Sequence, residues 1–182
     1  MAYFGLRKPV IAQYNSGTGA YSNGFICGKA VNFEVTPNYS EGSLFGDDEL
    51  AEYEKSFTDA DVSLGTTTLP IEAASTVFGH TVDSSTNSVT KKTTDVANYV
   101  GVGVIIDEVV NGTKKYYAYI LPCVQFSESA ESFTTKGDSI TFSNPTIEGK
   151  AKGNNSSEWQ IKQPFDTDTE ALAFIKTTFG ME

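Results

Sequence analysis

Histidine and cysteine are scarce in this chain of 182 residues, which contains one histidine and two cysteines. Zinc sites need several Cys or His ligands at set spacings, and Cys27 and Cys123 form no CxxC pair. A nucleophilic triad needs a histidine as its base. His80 directly follows Gly79, so we expect it to contact free helix carbonyls or solvent instead. We therefore predict no catalytic residue, no metal site and no cofactor, and expect that the chain is not an enzyme.

Long apolar runs are also lacking. No stretch approaches the roughly 20 apolar residues of a transmembrane helix, and the start, MAYFGLRKPVIAQYN, has no apolar segment of the signal-peptide type. We expect a soluble protein made in the cytoplasm, with both cysteines reduced and buried. The length suits one domain over residues 1–182, and no repeat or linker marks a domain boundary.

Basic residues are few: 13 Lys and Arg stand against 23 Asp and Glu, which gives a formal charge of −10. Binding to phosphates depends on clustered Lys and Arg, so sequence-specific recognition of nucleic acid is not expected. Solubility accounts for this charge as well as any functional role does.

Alternation of apolar and polar residues dominates what is present. The run KAVNFEVTP has this period of two and predicts a half-buried strand. The run YVGVGVIIDEVVNGTKKYYAYILPCVQF predicts two long strands joined by a tight turn at Asn111-Gly112, because both residues tolerate positive φ. Gly101 and Gly103 predict that their face is either crossed closely by another backbone or locally bent. Shorter strands are predicted over residues 7–13, 58–64 and 158–162, at the polar hairpin TVDSSTNSVTKK, and on both sides of Pro145, with Ile140 and Phe142 before it.

Two helices are predicted among these strands. LPIEAASTVFGH has Pro70 at a favourable first position and Gly79 as its end. DTDTEALAFIKTTFG has Thr167 and Glu170 as a capping box and Gly180 as its end. The predicted fold class is mainly β (α+β).

An acidic stretch, LFGDDELAEYEKSF, interrupts the strands at residues 44–57. It lacks the order of oxygen ligands and the central glycine of an EF-hand loop. Paired catalytic carboxylates, such as Asp47 with Glu148, are not selected by any further feature. We interpret the stretch as a long exposed loop. Its apolar residues suit a surface that becomes buried against another subunit.

The ordered set LFGDDELAEYEKSFTDADVSL, FGHTVD, VGVGVI, NGTKKYYAYILPCVQF, TKGDSITFSNPTIEGKA and FDTDTEALAFI resembles the major tail proteins of long-tailed, non-contractile phages. The likeness extends over nearly the whole chain. It implies a tail-tube β-sandwich or barrel with one packed helix and a C-terminal helix, similar to the tube of type VI secretion systems. Some relatives append a C-terminal immunoglobulin-like domain, which we do not expect here.

The resemblance also implies a function. Such proteins form hexameric rings that stack into the tail tube, the conduit through which DNA passes without specific binding. The implied partners are further copies of the chain, a tape measure protein, a tail terminator and distal tail proteins. The implied location is the virion tail, with assembly in the host cytoplasm.

In such tubes a long loop between two early strands reaches the next ring, and residues 41–57 occupy the matching place. The resemblance therefore implies a ring-stacking loop, which we expect to be mobile in the free subunit, containing Glu41, Leu44, Phe45, Asp47, Asp48, Leu50, Tyr53 and Phe57. Alternation in the flanking strands suggests four candidates for the channel lining: Asn32, Glu34, Asp59 and Asp61. These four polar side chains could equally well lie on the outer surface of the tube.

One alternative is a calcium-dependent carbohydrate-binding β-sandwich module. Such modules usually present several exposed aromatic side chains to sugars, whereas Trp159 is the only tryptophan. A hydrolase with two catalytic carboxylates is a third hypothesis, and only the abundance of acidic residues favours it.

Overall fold

A computed structural model describes residues 2–47, 49–128 and 144–182. Within them the chain forms ten strands and two helices. The strands are β1 (Ala2–Tyr14), β2 (Tyr21–Ile26), β3 (Ala30–Gly46), β4 (Glu49–Thr66), β5 (Thr81–Val82), β6 (Val89–Thr90), β7 (Tyr99–Val110), β8 (Thr113–Ser127), β9 (Thr146–Lys152) and β10 (Ile161–Phe165). The helices are α1 (Glu72–Thr76) and α2 (Asp168–Thr178). The predicted mainly β (α+β) class is confirmed, while Ile140 and Phe142 lie outside the described residues.

One antiparallel sheet contains all the long strands, in the order β2-β1-β7-β8-β9-β4-β3. Strand β8 has two partners along one edge, because β10 pairs with residues 116–120 and β9 pairs with residues 123–127. Strands β5 and β6 form a separate polar hairpin, as predicted.

The core lies on both faces of β1, β7 and β8. On one face, Ile175 and Phe179 of α2 pack against Val10 and Ile105. The other face joins a cluster that includes Leu64 of β4. The sheet therefore curls back over itself, and its central strands are buried on both sides.

The glycines of β7 make room for α2. A Cβ atom at Gly101 would lie 2.6 Å from Phe179 Cε1, and one at Gly103 would lie 2.5 Å from Ile175 Cγ2. The ladder with β8 also shifts register between Val100 and Val102. The register shift agrees with the predicted bend, whereas the predicted crossing by another backbone is wrong, because side chains fill the space beside these glycines.

Local signals in the sequence correspond to local structure. Asn111 and Gly112 have φ values of 49° and 80° and join β7 to β8 in a two-residue turn. Thr167 and Glu170 form the predicted capping box at the start of α2. Helix α1 is shorter than predicted, and only residues 72–76 are helical.

Candidate assembly surface

Strands β3 and β4 continue as a two-stranded arm beyond the rest of the sheet. Strand β9 pairs with β4 only through residues 60–65, whereas β3 follows β4 down to the pair Gly46 and Glu49. At ~3.3 Å per residue, residues 49–59 of β4 extend about 35 Å. We call residues 38–59 the arm.

The arm corrects the prediction of a long exposed loop at residues 41–57. These residues are paired strands, and Asp47, with φ of 51°, lies in the tight turn between them. Within the arm the ladder shifts register twice, so Thr58 and Ala51 have no opposite residue in β3. Each shift moves the following side chains of β4 to the other face, which conceals the alternation in the sequence. Asp48 lies outside the described residues.

One face of the arm is aromatic and exposed. Residues paired across two antiparallel strands lie on the same face, so the pairs Tyr39 with Phe57 and Phe45 with Leu50 share the face of Tyr53. Tyr39, Leu50, Tyr53 and Phe45 have exposed fractions of 46%, 56%, 53% and 67%. Contiguous exposed apolar side chains of this kind mark interaction surfaces.

Aromatic contacts join the base of this face to the body. The ring of Phe57 stacks on Trp159 with centroids 4.7 Å apart, and Tyr39 meets Phe57 edge-on at 6.1 Å. Trp159 is therefore a structural contact for the arm rather than an isolated exposed ring.

An ion pair crosses the middle of the aromatic face. Lys55 Nζ lies 2.6 Å from Glu41 Oε1 and 4.7 Å from the centroid of the Tyr39 ring. The hydrogen bond from Lys55 lowers the pKa of the Glu41 carboxyl. Both side chains are exposed, so solvent screens the pair and its contribution to stability is small.

The opposite face of the arm is acidic. Glu49, Glu52 and Glu54 lie there together with Leu44. The same face continues into the body through Asn38, and the predicted channel-lining residues Asn32, Glu34, Asp59 and Asp61 all lie on it. The structure thus brings these four residues together with the arm carboxylates on one polar strip, which we call the acidic face.

A hydrogen-bonded network lies at the base of the acidic face. Asn38 Nδ2 donates to Asp59 Oδ1 at 2.7 Å and to Asp61 Oδ2 at 2.8 Å. Lys150 Nζ of β9 lies 3.1 Å from both carboxylates. Hydrogen bonds from Asn38, and next from Lys150, lower the pKa of both aspartates and keep them charged.

The predicted ring-stacking residues are divided between these surfaces. Glu41, Phe45, Leu50, Tyr53 and Phe57 share the aromatic face, Leu44 lies on the acidic face, and Asp47 lies at the turn. Sequence reasoning missed Tyr39, Lys55 and Trp159, because their roles depend on pairing across the arm and on a contact distant in sequence.

The side chain of His80 has partners that were not predicted. Its Nδ1 lies 2.8 Å from Asp95 Oδ2, its Nε2 contacts Glu128, and its ring stacks on Phe78. Burial acts to lower the pKa of His80, but the hydrogen bonds to Asp95 and Glu128 outweigh it and raise the pKa. The His80 side chain therefore joins three segments of the chain, and its backbone N–H donates to the carbonyl of Ala74 in α1, as predicted.

The chain matches no protein-family model and no curated protein. Among residues 2–47, 49–128 and 144–182, no helix is long and apolar enough to cross a membrane. Over the same ranges, no three Asp, Glu, His or Cys side chains converge as metal ligands. The exposed aromatic side chains and the acidic opposite face make the arm the candidate functional site.

Proposed function

We propose that this chain is a structural subunit that assembles into stacked hexameric rings, forming the tail tube of a long-tailed phage in the virion, with the arm joining one ring to the next. The observation that carries the proposal is the exposed aromatic face of the arm. The hexamer and the tube come from the resemblance of the sequence to phage major tail proteins.

Among the strands that the structure describes, β3 pairs only with β4, so the arm has an open edge. An isolated two-stranded hairpin is marginally stable in water, and unpaired strand edges readily join other chains. Contact with a neighbouring copy would cover the aromatic face. Burying one large apolar side chain contributes on the order of 2 kcal/mol, and Tyr39, Phe45, Leu50 and Tyr53 are all at least 46% exposed.

We propose further that the acidic face lines the channel of the tube. Carboxylates repel the phosphates of DNA over a screening length of about 8 Å at physiological salt. A hydrated wall of this kind does not retain the genome by counterion release, as a basic wall would. Glu34, Asp59 and Asp61 then face the passing DNA.

Electron microscopy of the purified protein tests the function directly. We expect rings or tubes from the wild-type chain, and none from Phe45→Asp, because a buried unpaired charge would oppose stacking. Phe45 is 67% exposed, so this variant should retain the circular dichroism spectrum of the wild type. Glu52→Gln is the matched control on the opposite face and should still form tubes.

Two results would contradict the proposal. Normal tubes from Phe45→Asp would show that the aromatic face does not join rings. A wild-type chain that stays monomeric at all concentrations and binds glycans in the presence of calcium would favour the carbohydrate-binding alternative.

A further inference from the structure

An apolar groove lies beside α1, in a part of the molecule that the arm does not include. Its volume is about 460 Å³, within the range of about 300–1,000 Å³ typical of ligand-binding cavities. The lining includes Leu69, Ile71, Ala74, Phe78, Val89 and Ile147. Two of these side chains remain open to solvent, since Ile71 is 37% exposed and Val89 is 39% exposed.

The groove and the turn of the arm lie at opposite ends of β4. The strand starts at Glu49, next to the turn, and ends at Thr66, three residues before Leu69 of the groove. Thr66 donates its backbone N–H to Pro145, which also lines the groove. A surface and its complement at opposite ends of one subunit generate head-to-tail contacts that repeat along an axis.

Charge favours the same match. Lys91 also lines the groove, where its side chain is 51% exposed and its Nζ lies 3.4 Å from Oε1 of Glu128, another lining residue. The arm carries Asp47 in its turn, between Phe45 and Leu50. An arm that inserts Phe45 and Leu50 into the groove brings the Asp47 carboxylate toward this lysine.

The geometry points to the groove as the receptor for the arm of a second copy of this chain, with Phe45 and Leu50 entering beside Ile71. This inference rests on the proposed function, because the occupant is the arm of the neighbouring ring. It adds the receiving surface and the polarity of stacking: each subunit inserts its arm at one end of β4 and receives an arm at the other.

Site-directed cross-linking tests the pairing. One preparation carries Phe45→Cys and a second carries Ile71→Cys, and the two are mixed under assembly conditions with a short bismaleimide reagent. Native Cys27 and Cys123 are both 0% exposed, so they should not compete. The control replaces Ile71→Cys with Asn111→Cys, at the exposed turn between β7 and β8. We expect the first mixture to yield covalent dimers at least about tenfold faster than the control, as for neighbours held in register.

The outcomes separate this inference from the proposed function. Tubes by microscopy with no excess of cross-linking between positions 45 and 71 would overturn the groove and leave the role of the arm intact. Absence of both tubes and cross-links would contradict the groove inference and the proposed function together. A thiol of Ile71→Cys that is protected from maleimide in the free subunit would also overturn the inference, because the groove would already be covered.

A second variant gives an independent readout. Val89→Lys places a charge on the exposed lip of the groove and should leave folding intact. It should raise the protein concentration needed for assembly by about tenfold or more, which corresponds to ~1.4 kcal/mol per contact. An unchanged assembly concentration would count against the groove.

Discussion

Phe57 stacks on Trp159 with ring centroids 4.7 Å apart and planes inclined by 19°. This contact joins the base of the arm to the segment that precedes β10, on the face that continues into the core. It therefore sets the direction in which the arm leaves the body.

Trp159→Ala should loosen the arm and lower the free energy of unfolding by about 2 kcal/mol, through lost burial and lost stacking. Chemical denaturation measures the free energy of unfolding. The looser arm should appear as faster tryptic cleavage after Lys55. Val96→Ala is the control, since Val96 is 72% exposed and its loss should change stability by less than about 0.5 kcal/mol. Unchanged cleavage at Lys55 would show that Trp159 does not hold the arm.

Asn38→Leu should remove the hydrogen bonds that Asp59 and Asp61 accept from Asn38 at the base of the acidic face. Asn38 and Lys150 hold the pKa of Asp59 and Asp61 below the ordinary range, so both values should rise in the variant. NMR titration of the carboxyl carbons measures this change. Thr36→Val, on the same face, is the control and should leave both pKa values near those of the wild type.

The same substitution predicts a pH dependence of stability. A carboxyl group whose folded pKa is depressed contributes stability above its unfolded pKa of about 3.9. That contribution is lost as the pH falls through the folded value. The difference in unfolding free energy between wild type and Asn38→Leu should therefore be larger at pH 7 than at about pH 2. A difference in unfolding free energy that does not change with pH would show that the lowered pKa values of Asp59 and Asp61 are not its cause.

The sequence predicted the parts of the fold that depend on neighbouring residues. Asn111-Gly112 specifies its turn through the φ values that the two residues tolerate, and Thr167 with Glu170 specifies a helix start through reciprocal hydrogen bonds. Both signals are local, so they can be recognised without knowing the tertiary contacts of these residues.

The arm was not predicted because its signal depends on pairing. Tyr53 and Phe57 share one parity in β4, but Leu50 has the other, and only the register shift at Ala51 returns it to the same face. Leu44 and Phe45 are adjacent in sequence and lie on opposite faces. The residues of the candidate site could be named from the sequence, but their division into two surfaces could not.

His80→Gln should change how the stability of the folded chain depends on pH. The pKa of His80 is raised in the folded chain, so its contribution is complete below the unfolded value of about 6.5 and is lost as the pH rises through the folded value. The wild type should therefore exceed the variant in stability by more at pH 6 than at pH 9. Asp95→Asn should lower the pKa of His80 in an NMR titration. A wild-type His80 that titrates at or below about 6.5 would refute the role of the two carboxylates.

Gly103→Ala tests how closely α2 packs on the sheet. The added Cβ would lie 2.5 Å from Ile175 Cγ2 and 3.2 Å from Phe179 Cε2, and both side chains belong to the buried face of the helix. Since a Cβ at 2.5 Å cannot be accommodated without movement, either the Ile175 side chain or α2 must shift. Overpacking of this kind typically costs about 1–3 kcal/mol, which chemical denaturation resolves. Gly42→Ala is the matched control, because Gly42 is also in a strand and a Cβ there meets nothing within 4 Å. Gly42→Ala should stay within about 0.5 kcal/mol of the wild type. Equal stabilities for the two variants would mean that α2 does not pack against β7 as closely as the contact with Ile175 requires.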